Sequence, residues 1–224
     1  QGFVREISKR RLTIAERYLE IATLTEPGDW QQRLDALDSL VNLAMHAKTL
    51  SMPLNTARLQ IALMKRCVES RRDRRRQLEL MSNFALASHG QTPVIRRLLR
   101  DLDMVEVAED GRQLREVGPG WDDHVHDAFT EGHETPCQLV LDAFIKGIAR
   151  ITVVYYDLVD PRLVEETIRA GEILGIDAEV GVEFSVGAAH QRVSFVYIPP
   201  DAGSVLGLRA FLAENHERLA PFLA

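Results

Sequence analysis

Two histidines, His124 and His126, stand two residues apart in the stretch W-D-D-H-V-H-D that begins at Trp121. On a strand, alternate side chains share a face. This spacing therefore presents two imidazoles together, a common way to hold a divalent cation, while Val125 turns toward the core. Two carboxylates further on could join them, Asp157 closing V-V-Y-Y-D and Glu183 inside G-V-E-F-S. The chemistry open to such a set is metal-assisted: imidazole and carboxylate donors around a Lewis acid that activates water and neutralises an anionic substrate.

These residues need elements that bring them together. After the H-x-H strand, Thr130-Glu131-Gly132 reads as a polar turn. Thr135-Pro136 then opens a helix, with Thr135 as cap and Pro136 in the first position. Leu139, Val140, Ala143, Phe144 and Ile148 recur at helical spacing, and Gly147 marks the end. Ile151 to Tyr156 is a short β-branched and aromatic run, expected as a buried strand. Asp160-Pro161 starts another helix with Leu163, Val164, Ile168 and Leu174 on its apolar face, Gly175 stops it, and Ala178 to Phe184 reads as the next strand. Strand, helix, strand, helix, strand is the order of a parallel α/β layout. In such a layout sites form at the C-terminal ends of strands, where Asp157 and Glu183 fall.

In order and spacing, these pieces resemble the PHP (polymerase and histidinol phosphatase) superfamily of metal-dependent phosphoesterases. The pattern is D-x-H-x-H, a T/S-x-G turn, a Thr-Pro helix start, an apolar strand ending T-D-H, and later G-x-E. Here it stands as Asp122/Asp123-His124-Val125-His126, Thr130-Glu131-Gly132, Thr135-Pro136, Val154-Tyr155-Tyr156 with Asp157, and Gly181-Val182-Glu183. The resemblance implies an α/β fold forming the first half of a PHP-like distorted β/α barrel. It also implies divalent metal (Mn, Zn or Fe) and a phosphorylated substrate hydrolysed by a metal-activated water. It assigns His124, His126, Glu131 and Glu183 as metal ligands, with Glu183 bridging two ions, and Asp157 to the catalytic machinery. Asp122 and Asp123 would orient a ligating imidazole. Tyr156 departs from the pattern, standing where the family carries a histidine. His190 and His216 follow no later ligand motif, so the expectation is either a piece of a longer protein or a reduced relative that kept the first half. The alternative to an active enzyme is a weak or inactive PHP-like module that serves a larger protein as a docking part for protein or nucleic acid.

The first hundred residues read as helices, placing an all-helical domain at 1–117 and the PHP-like α/β domain at 121–224, with Gly118-Pro119-Gly120 as the boundary. Val4 to Ile21 makes one amphipathic helix, Trp30 to Ala44 a second, and a third pattern runs from Leu54 through Leu86 to His89-Gly90. Between Lys65 and Arg76 this third pattern carries seven basic residues against two acidic ones. Arginines four apart repel slightly on a helix unless something anionic answers them. Two readings are open: a phosphate or nucleic-acid contact through Arg72, Arg75 and Arg76, or a solvated face paired with nearby acids. Thr92 is expected to cap a short helix. Alternating runs on both sides of Glu109-Asp110-Gly111-Arg112 then signal a small hairpin. A helix running into a hairpin is similar to a winged-helix module, although a helical platform is the expected form. Past Glu183, Arg192 to Ile198 reads as a strand and Ser204 as the cap of a last helix.

Composition bounds the rest. A net charge of −6 and a sequence pI near 5.7 give the chain no global attraction to nucleic acid or anionic membrane. Cys67 and Cys137 have no C-x-x-C spacing, so neither a disulfide framework nor a zinc finger is expected. A cytoplasmic setting is the expectation, since no apolar run approaches the ~20 residues of a membrane span and residues 1–11 lack a signal-peptide core.

Overall fold

The computed structural model of the chain describes residues 2–45, 53–107, 114–116, 120–156, 160–188 and 191–214. The first half is helical: α1 (Gly2–Thr23), a 3-10 turn (Pro27–Asp29) running directly into α2 (Trp30–Met45), α3 (Pro53–Glu69), α4 (Arg74–Ser88) and α5 (Thr92–Asp101). The long third helical pattern of the sequence is two helices. Residues 70–73 break it, and Asp73 caps α4 by accepting from the Arg76 amide at 3.0 Å. Crowded like charges disfavour helix at this point, and a capping Asp offers the backbone an alternative. Thr92 is the first residue of α5 and Gln91 precedes it as the cap position, because Pro93 needs no amide partner in the first turn.

The expected hairpin is present as β1 (Val105–Val107) paired antiparallel with β2 (Leu114–Glu116). Its turn, and Gly118 and Pro119 of the expected boundary, lie outside the described residues. A second, curled sheet has the order β3 (Gly120–Val125), β4 (Ile148–Tyr156), β5 (Asp177–Ala188), β6 (Gln191–Tyr197). The first three strands are parallel, and β6 returns antiparallel to β5, so the sheet is mixed and forms half of a barrel wall. Between the parallel strands run α6 (Pro136–Lys146) and α7 (Pro161–Leu174). Both end at glycines in the left-handed region, Gly147 (φ +79) and Gly175 (φ +70), as their positions in the sequence implied. A last helix, α8 (Ala202–Glu214), is capped by Asp201 rather than Ser204: the Asp201 carboxylate accepts from the Ser204 amide at 2.8 Å and from its hydroxyl at 3.0 Å.

Residues Ile151 to Tyr155 of the central strand β4 are all buried, consistent with a strand covered on both faces. Toward the start of the strand Ile151 joins a continuous core that gathers Leu37 and Leu40 of α2, Leu59 and Leu63 of α3, Phe84 of α4 and Val140 of α6. Further along the same face, Val153 and Tyr155 pack with Val180 and Val182 of β5, Leu163 and Val164 of α7 and Val205 of α8. Each fully buried aliphatic side chain of this kind contributes about 1.5–3 kcal/mol. The result is a rigid central strand whose C-terminal end, at Tyr156, is held in register with Glu183 of β5.

Candidate metal centre

The strand β3 ends at Val125, and its pairing with β4 is irregular between Asp122 and Val125. His124 is therefore on the strand and His126 just beyond it, yet the two rings meet, with Nε2 atoms 3.0 Å apart. Glu183, one strand further across β4, brings its Oε2 to 3.5 Å from His124 Nε2. Donor atoms of His124, His126 and Glu183 all lie within 4.8 Å of one another. Bonds of about 2.0–2.2 Å to one cation, at angles between right and tetrahedral, require donors roughly 3.0–3.6 Å apart. The His124–His126 and His124–Glu183 separations fall in that range, and His126 and Glu183 lie within 4.8 Å of each other.

The chemistry of the donor set also fits. Two imidazoles and one glutamate are the protein ligands of one family of catalytic zinc sites, in which a further position stays open for water or substrate. His126 is tied from behind: its Nδ1 lies 3.0 Å from the Val154 carbonyl oxygen, which can only accept, so Nδ1 carries the hydrogen. The neutral ring then offers its Nε2 lone pair to the cluster, the arrangement by which a carbonyl fixes the tautomer of a ligating histidine. His124, with a side chain 47% exposed, leaves the mouth open to solvent, while Glu183 is 18% exposed at the floor.

The turn after β3 braces His126. Gly132 lies so close over it that a Cβ there would sit 1.9 Å from the His126 carbonyl oxygen. The amides of Thr130 and Gly132 both donate to the Asp127 carbonyl, at 3.1 and 2.8 Å. Asp127 itself, which has no part in the sequence pattern, is fully buried. Its carboxylate accepts from the Tyr155 hydroxyl at 2.7 Å and the Phe129 amide at 2.9 Å, locking the turn to the middle of β4. Burial raises its pKa above the ordinary 3.8, against the pull of those hydrogen bonds. Its signal in the sequence was its position: an Asp directly before a polar turn is a natural acceptor for the amides that follow.

Glu131, expected as a ligand, stands outside the cluster of three. Its carboxylate faces the Tyr156 phenol instead. Slight desolvation and the carboxylates of Glu131 and Glu183 together hold the Tyr156 phenol above its ordinary pKa of 10.0. Tyr156 thus remains a neutral donor rather than an anionic ligand. Its ring stacks on His126, with centroids 5.2 Å apart and planes 23° from parallel. Asp123 faces the Arg150 guanidinium at 3.8 Å, and Asp122 accepts from the His124 amide at 3.4 Å. Asp157, His190 and His216 lie outside the described residues.

No protein-family model matches the chain, and no curated protein does either. Among solved structures, it is similar to the crystal structure of a candidate metal-dependent phosphoesterase from Bifidobacterium adolescentis. The sequences are 26% identical, the match covers 44% of this chain and 33% of the other, and the TM-score is 0.37. The chain thus spans about a third of the length of that protein. No helix among the described residues is long and apolar enough to cross a membrane.

Proposed function

We propose that this chain is a metal-dependent phosphoesterase of the PHP kind, and that His124, His126 and Glu183 hold its divalent cation. The observation that carries the reading is the convergence of those three donors within 4.8 Å, the histidines from the end of β3 and the glutamate from the middle of the parallel strand β5. Residues that merely match a pattern by chance have no reason to meet. The order of motifs around them adds the phosphoesterase chemistry, which rests on resemblance.

A divalent cation bound there supplies Lewis acidity toward a phosphate oxygen and makes a nearby water more acidic. The chain's own residues position the reactants. The Val154 carbonyl and Gly132 set the His126 ring, and Tyr156, its phenol facing Glu131, forms a wall beside that ring and limits the side from which an ester can approach.

The test is metal content after loading with Mn, Zn or Fe, followed by hydrolysis of bis(p-nitrophenyl) phosphate. His124→Ala and Glu183→Ala are each expected to lower bound metal at least about tenfold, as loss of a ligand does, and to bring hydrolysis to background. A wild-type protein without metal affinity, or variants hydrolysing at the wild-type rate, would remove the proposal. Metal retained with no hydrolysis of any phosphate ester would leave a cation-holding docking module.

A further inference from the structure

We propose that α5 and the α3–α4 turn form a binding surface for double-stranded DNA, independent of the metal centre. Segments 66–76 and 92–103 together hold nine arginines and four acidic residues, a local charge of +5 in a chain whose total is −6. The two segments adjoin where the end of α3 meets the residues that follow α5. Glu69 lines both a cavity of about 250 Å³, shared with Arg66, Leu102, Asp103 and Met104, and a second hollow formed by Ser70 to Asp73.

Few of the charges are spent internally. Asp73 is used as a helix cap and Glu79 pairs with Arg76 at 2.8 Å, but among the described residues no ion pair engages Arg71, Arg72, Arg74, Arg75 or Arg96. On α5 one face buries Ile95, Leu98 and Leu99, and the opposite face exposes Arg96, Arg97 and Arg100. Asp101 answers Arg97 and Arg100 only at 4.0 Å each, with side chains half exposed, a distance that contributes little.

The geometry narrows the polyanion. Helix α4 passes to α5 through residues 89–91, where Gly90 takes φ +72, and the β1–β2 hairpin follows α5 immediately. A helix entered through a short glycine turn and followed by a hairpin is the layout that lays its second helix in a major groove and its flanks on phosphates. The B-form major groove, about 12 Å wide, admits a helix, whereas the deep, narrow groove of duplex RNA does not. Arg96, Arg97 and Arg100 would face the groove and Arg71, Arg72 and Arg75 the backbone.

The experiment is fluorescence anisotropy of a labelled 20-base-pair DNA duplex, titrated with the whole chain from 50 to 200 mM salt. Binding is expected to weaken linearly on logarithmic axes. Arg71→Ala/Arg72→Ala/Arg75→Ala should lower affinity about tenfold and reduce the slope by up to about 2.7, or 0.9 for each phosphate that no longer meets an arginine. Arg96→Ala/Arg97→Ala/Arg100→Ala should weaken binding at every salt. All six positions lie at the surface, so an unchanged melting temperature confirms that each variant folds. No binding at 50 mM salt, variants that bind as wild type does, or equal competition by duplex RNA or polyphosphate would overturn the inference. Metal binding by His124 and Glu183 reads out separately, so the two proposals fail independently.

Discussion

His126 is the residue whose geometry is most constrained by its surroundings. It takes a carbonyl at Nδ1, a stacked phenol on its face and a glycine against its own backbone. The last of these makes the sharpest prediction. In Gly132→Ala the new methyl meets backbone atoms of His126 and Asp127, at 1.9 to 2.9 Å, none of which can swing aside as a side-chain end would. The turn must move and take His126 with it. Metal affinity measured by isothermal titration is expected to fall at least about tenfold, the scale seen when groups orienting a ligand are removed, with the fold preserved by circular dichroism. Unchanged affinity would show that the turn does not set the ring. In the sequence, the H-x-H spacing and Glu183 were legible as candidates. Glu131 was not legible as a partner of Tyr156, since that depends on how the turn folds over the end of β4.

At the scale of elements, α3 and α6 are joined by a charged contact that periodicity does not reveal. The Lys65 ammonium pairs with Asp142 of α6, with Glu134 at 3.5 Å and with Glu69 at 3.9 Å. Burial alone would lower the Lys65 pKa, but the hydrogen bond and charge of Asp142 with the other two acids outweigh it, and the value stands above 10.5. A lysine raised in the folded state contributes stability that is complete below pH 10.5 and disappears as pH climbs through the folded value. Burial, then the charge of Asp142, raises Glu134 above 4.5. Lys65→Met leaves two partly buried carboxylates unanswered and is expected to cost about 1–3 kcal/mol at pH 7. That deficit should shrink as pH falls, because Glu134, raised above its ordinary value, then takes a proton. Urea unfolding at pH 7 and pH 4 measures it, and an equal deficit at both would mean that packing, not charge, explains the contact. The helix ends around this contact were readable in advance, with Thr135-Pro136, Gly147 and Gly175 all acting where the sequence put them. The break at residues 70–73 was passed over, although no apolar residue stands between Val68 and Leu78 and Asp73 offers a cap there.

Across the whole molecule, one buried ion pair ties the helical half to the strand-bearing half. Arg33 of α2 and Glu166 of α7, both fully buried, meet through two parallel hydrogen bonds, Nε to Oε1 at 2.7 Å and Nη2 to Oε2 at 2.5 Å. Arg33 also donates to the Leu24 and Glu26 carbonyls, and Glu166 accepts from the Cys137 amide at the start of α6. Desolvation pulls the Arg33 pKa down, yet the bonds and charge of Glu166 leave it above its ordinary value. Arg33→Met strands a buried carboxylate and is expected to lower stability by about 3–5 kcal/mol, while Arg33→Met/Glu166→Leu recovers most of that deficit. Chemical denaturation of both variants checks this, and a single-variant effect below about 1 kcal/mol would show that the pair is dispensable.

By itself the sequence determined the succession of helices and strands and the residue types available for chemistry, because periodicity, capping and turn preferences act over a few neighbouring residues. Only the tertiary structure decided that donor atoms of His124, His126 and Glu183 gather while Glu131 stands outside them beside Tyr156, and that the end of α3 meets the residues following α5. Those outcomes depend on strand register and on helices packing across long separations, and interactions of that range leave no local mark on the chain.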